Sequence, residues 1–296
     1  MKTRNVDLVR PDNEAYRNQS ARYAQENRKL RPTRDPSVLQ RLSEPIESFL
    51  RHWLSREISL TERRIVRYER LQRTGEYDLR FKEVDAIEIA NSSEAVDAES
   101  VGSSAVEDTD EIRPRRLIEM KCSSNAGKLS SAGSQLRKAL RPLRTRWQQP
   151  VYRHAILVAV APDVMELPYD PVPLDEFAPS IPESADPSDL LKTYLSADDL
   201  WEWGKSAGLL ESDGPIEVES DLLRKAQEEA RATAQKRQER KRLKEEGVPR
   251  EEWPDELKTD SAREVPDSET VQYGAPDEED SSSMADALRD AFEEED

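Results

Sequence analysis

The chain of 296 residues carries 62 Asp or Glu against 45 Lys or Arg, a formal net charge of -17, and only 35% of its residues are hydrophobic. That composition does not promise two cores and implies segments that bury too little apolar surface to offset the entropy of ordering. A single cysteine, Cys122, excludes an intramolecular disulfide and a cysteine-based zinc site, and His52 and His154 are too few and too separated for a zinc centre.

The charge is unevenly spread. Residues 1–80 hold 18 Lys or Arg against 12 Asp or Glu, whereas residues 261–296 hold 2 basic and 13 acidic residues. A basic front and an acidic tail are therefore hidden in one net value, and the excess of acid does not exclude a nucleic-acid partner. A carboxylate-rich chain with Arg in excess of Lys also matches adaptation to high internal salt. The opening MKTRNVDLVRPDNE lacks the apolar run of a signal peptide, and the most apolar stretch, AILVAVA at 155–161, is too short to span a bilayer. A soluble, cytoplasmic protein with no membrane partner is expected.

In chain order, residues 1–41 read as a basic N-terminal arm, partly disordered, with a short helix within AYRNQSARYAQENRKL. The span 42–162 reads as the folded core. Leu42, Ile46, Phe49, Leu50, Trp53 and Leu54 recur at helical spacing, and Pro45 suggests that the regular helix starts near Ser43 or Glu44. IVRYERL, the turn TGEY and DLRFKEVDAIEI read as a hairpin, and the serine- and acid-rich 91–112 as a surface insertion. RRLIEMKCS is a short strand. KLSSAGSQLRKALRPLRTRW becomes a helix that Pro142 ends or kinks, and YRHAILVAVAP is a central strand. This order predicts an α/β fold with a mixed sheet flanked by helices. Beyond it come a proline-rich segment with a small helical appendage (163–220, with Leu190, Leu191, Tyr194, Leu195, Leu200 and Trp201 as its apolar surface), a charged helix (221–250) and an acidic disordered tail (251–296) with a transient helix around MADALRDAF.

The chemistry is concentrated in EVDAIEI and LIEMKCS. Asp85 is expected on one strand, and Glu119 and Lys121, two residues apart, on one face of another. Two carboxylates from neighbouring strands make a hard oxygen site for Mg²⁺, or Mn²⁺, and a lysine beside them can orient water or meet developing negative charge. Charged residues facing water would give the same letters, but here each interrupts an apolar run: Val84, Ala86 and Ile87 around Asp85, and Leu117, Ile118 and Met120 around Glu119. Arg113, Arg115, Arg116, Arg137, Lys138, Arg141, Arg144 and Arg146 are available to contact a phosphate backbone or to form solvated faces. Trp147 and Tyr152 are available to stack on bases or to pack. His154 and Cys122 read as structural.

This arrangement resembles the PD-(D/E)XK, or restriction-endonuclease-like, nuclease superfamily over about residues 42–161. The family's first acid falls on Asp85 and its triplet on Glu119, Met120 and Lys121; the proline that precedes the acid in the family motif is absent, Lys82-Glu83-Val84 standing before Asp85. The resemblance implies a divalent-metal nuclease acting on DNA in preference to RNA, with metal held by Asp85, Glu119 and the Met120 carbonyl. It further implies a helix-one glutamate, Glu47 with Glu57 in reserve, and an assisting glutamine, Gln135. Two other readings stand beside it: a catalytically silent nucleic-acid-binding or assembly module of the same fold, and a flexible scaffold protein of a virus or mobile element. The C-terminal parts are candidates for contact with a protein partner.

Overall fold

In the computed structural model, residues 2–30, 36–90, 112–210 and 219–258 are described. The insertion up to residue 111 and the tail from 259 onward, with its MADALRDAF segment, lie outside them. The fold is α/β, with a three-stranded antiparallel sheet and a four-stranded mixed sheet flanked by helices.

The first strand, β1 (Thr3–Val9), lies within the expected basic arm. Val6, Leu8 and Val9 are buried, and β1 pairs antiparallel with β2 (Ile65–Leu71) through a bulge near Asn5, whose φ is 51°. The arm is thus tied down by apolar residues too few to stand out among its charges. α1 (Glu14–Leu30) follows, where the short helix was expected.

The core helix α2 (Val38–Glu57) begins several residues before the expected start. Ser37 and Gln40 form a capping box: Ser37 Oγ accepts from the Gln40 N–H at 3.2 Å, and Gln40 Oε1 accepts from the Ser37 N–H at 2.9 Å. That cap, rather than Pro45, sets the start. Pro45 sits inside the helix, where its missing N–H deprives only the carbonyl of Arg41, an exposed residue. The apolar stripe read from sequence is buried as expected.

β2 and β3 (Tyr77–Glu83) form the predicted hairpin, with Gly75 in the turn at φ 87°, where a side chain would be strained. The expected second strand of that hairpin is broken. After Glu83 the chain leaves the first sheet, and β4 (Ala86–Ile89) pairs with β5 (Pro114–Ser123) in the second. Val84 through Glu88 are all buried, which one strand with a wet face cannot achieve.

α3 (Lys128–Arg146) runs through Pro142 to Arg146, and β6 (Tyr152–Ala159) is parallel to β5. β7 (Leu190–Ser196) is parallel to β6 and completes the order β4-β5-β6-β7. This corrects the helical appendage expected there: only α4 (Ala197–Ser206) is helical, while Leu190 to Leu195 lie on a strand. Leucines at those positions suit either state, and pairing with β6 decides the matter. The proline-rich segment before β7 also belongs to the core, since Leu174 and Phe177 are buried and Phe177 stacks on Trp53 at 5.3 Å.

Both faces of the second sheet are covered. Ile118, Met120, Ile156 and Val158 pack with α2, α4 and the start of α5 (Leu222–Glu245). Leu117, Ala155 and Leu157 pack with α3 and with Val6, Leu8 and Val66 of the first sheet. α4 approaches closely because residue 204 is glycine; a Cβ there would come within 2.8 Å of the Phe49 ring. The expected charged helix is α5, anchored by Leu222, Leu223, Ala226 and Ala230. Beyond it, Trp253 and Leu257, the latter in α6 (Asp255–Lys258), are buried.

Candidate active site

The site is formed where the chain passes between the sheets. Asp85 occupies the link between β3 and β4, not a strand as its alternating surroundings suggest. Glu119 and Lys121 lie on β5 and share a face by alternation, as expected. β4 ends its pairing at Ala86, opposite Ile118, so the next stretch of β5 has an edge without a strand neighbour. Two side chains serve that edge. Asp85 Oδ2 accepts the Met120 N–H at 2.7 Å, and the Glu47 carboxyl accepts the Cys122 N–H. Because the N–H and C=O of an extended residue point to the same edge, the Met120 carbonyl faces the Asp85 side as well.

Five ionisable groups meet here. Lys121 Nζ bonds Glu119 Oε1 at 2.8 Å, while both residues are largely withdrawn from solvent. Glu47 and Arg51, one turn apart on α2, face the same site, and Arg51 Nε donates to the Asp85 carbonyl oxygen at 3.1 Å. Burial pushes the Glu119 carboxyl up to about 8, with repulsion from Asp85 and Glu47 adding to it and Lys121 opposing. Glu47 is half-buried as a residue, but its carboxyl is desolvated; burial and then Asp85 raise it to about 8 against the pull of Lys121 and Arg51. Asp85 is raised by burial despite Lys121 and the Met120 N–H. For Lys121 burial acts downward, yet Glu119, Asp85 and Glu47 together raise it. Three carboxyls thus compete for too little positive charge, in low dielectric.

Glu47 therefore joins the cluster, whereas Glu57 is exposed near the end of α2. Gln135 lies on α3, and its Oε1 is buried without a hydrogen-bond partner. No hydrogen bond links it to the five groups. Among the described residues, no three His, Cys, Asp or Glu side chains are arranged to hold a metal ion by themselves.

Two residues that contribute here escaped the sequence reading. Arg51 carries a signal only in hindsight, four residues after Glu47 on the helix face. Arg64, on the approach to β2, also acts on Asp85 and had no sequence signal.

Three strand residues before Glu119, a second buried polar cluster corrects the reading of Arg116 as a backbone contact. Arg116 is 1% exposed; its Nε donates to Glu88 Oε2 at 2.7 Å and its Nη1 lies 3.2 Å from His154 Nδ1. Because a guanidinium only donates, Nδ1 accepts, and Nε2 carries the proton given to Thr193 Oγ1 at 2.8 Å. Burial and then Arg116 lower His154 to about 3, so it stays neutral. His154, Cys122 and Trp147 are all buried. Arg146 contacts Asp7 Oδ1 and the Val6 carbonyl of β1, so it ties α3 to the first sheet. Arg137, Arg141 and Arg144 are exposed on α3.

Among the described residues, no helix is long and apolar enough to cross a membrane. Comparisons with protein-family models, with curated proteins and with solved structures return no match.

Proposed function

We propose that the protein is a divalent-metal-dependent nuclease with a restriction-endonuclease-like core, hydrolysing phosphodiester bonds in DNA in preference to RNA. One observation carries this reading: Asp85, Glu119 and Lys121, distant in sequence, converge on one stretch of β5 with Glu47, and their carboxyls are held under electrostatic strain. Strain of this kind is concentrated at functional sites, because it costs stability and needs a compensating use.

The donor set suits Mg²⁺ or Mn²⁺. Mg²⁺ takes one or two carboxylates and keeps several waters, so Asp85, Glu119 and the Met120 carbonyl suffice without a third acid, with Glu47 a further oxygen donor. A bound ion supplies Lewis-acid polarisation of the phosphodiester and lowers the pKa of attacking water. Asp85 and Glu119 release protons to take up the ion, which their raised pKa values make strongly pH-dependent. Lys121 holds the attacking water by a hydrogen bond and faces the charge that develops on the phosphoryl oxygens. Gln135, with a buried and unused acceptor, is the assisting residue of the same reading.

A silent assembly module is the second reading. The observation in its favour is that Lys121 is committed to Glu119 and that no three-acid metal group stands ready among the described residues. Wild-type protein, Asp85→Ala and Lys121→Ala are to be compared on labelled single-stranded, duplex and branched DNA, with Mg²⁺, Mn²⁺ or EDTA, at low and high salt. The nuclease reading expects metal-dependent cleavage that falls about a hundredfold or more in both variants. Absence of cleavage by wild type in every condition, with DNA binding intact, establishes the silent module instead.

A further inference from the structure

Beside the carboxylates lies a cavity of about 490 Å³, lined by Arg10, Arg51, His52, Thr61, Arg64 and Asp85 among others. Its size lies within the roughly 300–1,000 Å³ of ligand-binding clefts.

Its charge is unusual for so acidic a chain. Arg51 and Arg64 both face it, and after burial Arg64 is the strongest influence lowering the Arg51 pKa. Two guanidinium groups facing one cavity are costly away from water unless anions offset them. The protein supplies some of that offset. Arg64 Nη2 contacts Glu83 Oε1 at 3.1 Å, and Glu83 Oε2 also accepts from the Tyr16 hydroxyl at 2.6 Å. Arg51 uses Nε on the Asp85 carbonyl oxygen, which leaves its two terminal nitrogens for another acceptor. At the mouth, Arg10 pairs with Glu62 at 3.1 Å, and Asp12 adds a further carboxyl. The positive charge is therefore deepest next to Asp85, and the carboxyls of Glu62 and Asp12 stand further out.

We infer that this cavity receives a phosphate group of a nucleic-acid strand, gripped by Arg51 and Arg64, which act as positioning residues that set the strand against Asp85. Paired guanidinium forks match phosphate oxygens, and a water-poor setting strengthens the contact. The inference rests on the nuclease reading for its substrate, but the binding site stands on its own geometry. The phosphate is either a strand terminus or an internal diester, and the two are separable.

The test uses full-length wild type, Arg64→Gln and Arg64→Lys, with unfolding temperatures checked. The substrates are 5′-phosphorylated, 5′-hydroxyl and covalently closed single-stranded DNA. With Mg²⁺, Arg64→Gln is expected to raise KM about tenfold while kcat changes little, and Arg64→Lys to recover only part of the loss, because lysine restores the charge without the fork. Binding of the same strands in EDTA should weaken in parallel. Preference for the 5′-phosphorylated strand that disappears in Arg64→Gln identifies a terminal phosphate; equal use of all three identifies an internal one. Unchanged KM and unchanged binding in Arg64→Gln overturn the inference whether or not wild type cleaves. If wild type never cleaves, weakened binding in Arg64→Gln upholds the cavity while the nuclease reading fails.

Discussion

Two buried polar clusters sit within one strand of each other, and they are built on opposite terms. Around Arg116, the guanidinium meets Glu88 and a neutral histidine, and Arg115 approaches the same carboxylate at 3.8 Å, so negative charge is fully matched. Around Glu119, three carboxyls share Lys121 and the edge of Arg51, and two of the acids are pushed up to about 8. The first cluster pairs Arg116 with Glu88 and His154 and so joins β4, β5 and β6, with Arg116 Nη2 left buried and unpartnered among the described residues. The second leaves a demand for cations that the chain does not meet. Burial alone therefore does not mark a site; buried imbalance does.

The contrast is sharpest for activity. Glu119→Gln is expected to lower metal-dependent cleavage about a thousandfold while leaving the fold intact, as read by initial rates and by thermal unfolding of the same samples. Arg116→Met should do the reverse. It leaves Glu88 buried without its main partner and is expected to cost about 3 kcal/mol in urea unfolding, with cleavage per folded molecule preserved. If Glu88→Leu is added, most of that loss should return. A severe loss of cleavage in folded Arg116→Met protein breaks the distinction.

The clusters should also differ in the sign of their pH dependence. For Glu47 and Glu119 the folded pKa lies above the unfolded value, so between pH 4.5 and about 8 the native state binds more protons. Their contribution to stability is present below 4.5 and lost as pH rises through 8. His154 has a folded value of about 3 against 6.5 unfolded, so its contribution is present above 6.5 and lost as pH falls towards 3. Thermal unfolding of metal-free protein from pH 5 to 8.5 should show a decline that is shallower in Glu119→Gln. An identical slope in that variant would remove Glu119 from the account. The smallest effect belongs to a residue outside both clusters. Ser37→Ala should cost about 1 kcal/mol by chemical denaturation and leave metal response unchanged, because it only uncaps α2.

Sequence revealed those features that depend on neighbours along the chain. The stripe from Leu42 to Leu54, the apolar run of β6 and the Glu119–Lys121 face all follow from local periodicity. So did the choice of Asp85, whose burial among apolar neighbours made it stand out. What escaped depends on distant pairing. Nothing near Arg116 announces that Glu88 and His154 will enclose it. LLKTYLS carries leucines at spacings open to helix or strand, and only β6 beside it fixes the outcome. The crossing at Asp85 was hidden by an alternating pattern that continues through the break. The capping box at Ser37 is local and present in the sequence, and it sets the helix start ahead of the competing signal from Pro45.

That crossing makes the site a gauge of alignment between two bodies. Asp85 is carried by the span that joins the sheets, whereas Glu119 and Lys121 ride on β5, and their spacing is maintained by the packing of Val6, Leu8 and Val66 near Leu117 and Leu157. A displacement of about 1 Å can cost an enzyme about a hundredfold in rate. Leu8 lies in the apolar seam between the sheets, and trimming it would loosen the packing on which their register depends. The N-terminal strand is, in that sense, the outer half of a calliper whose jaws are Asp85 and Glu119.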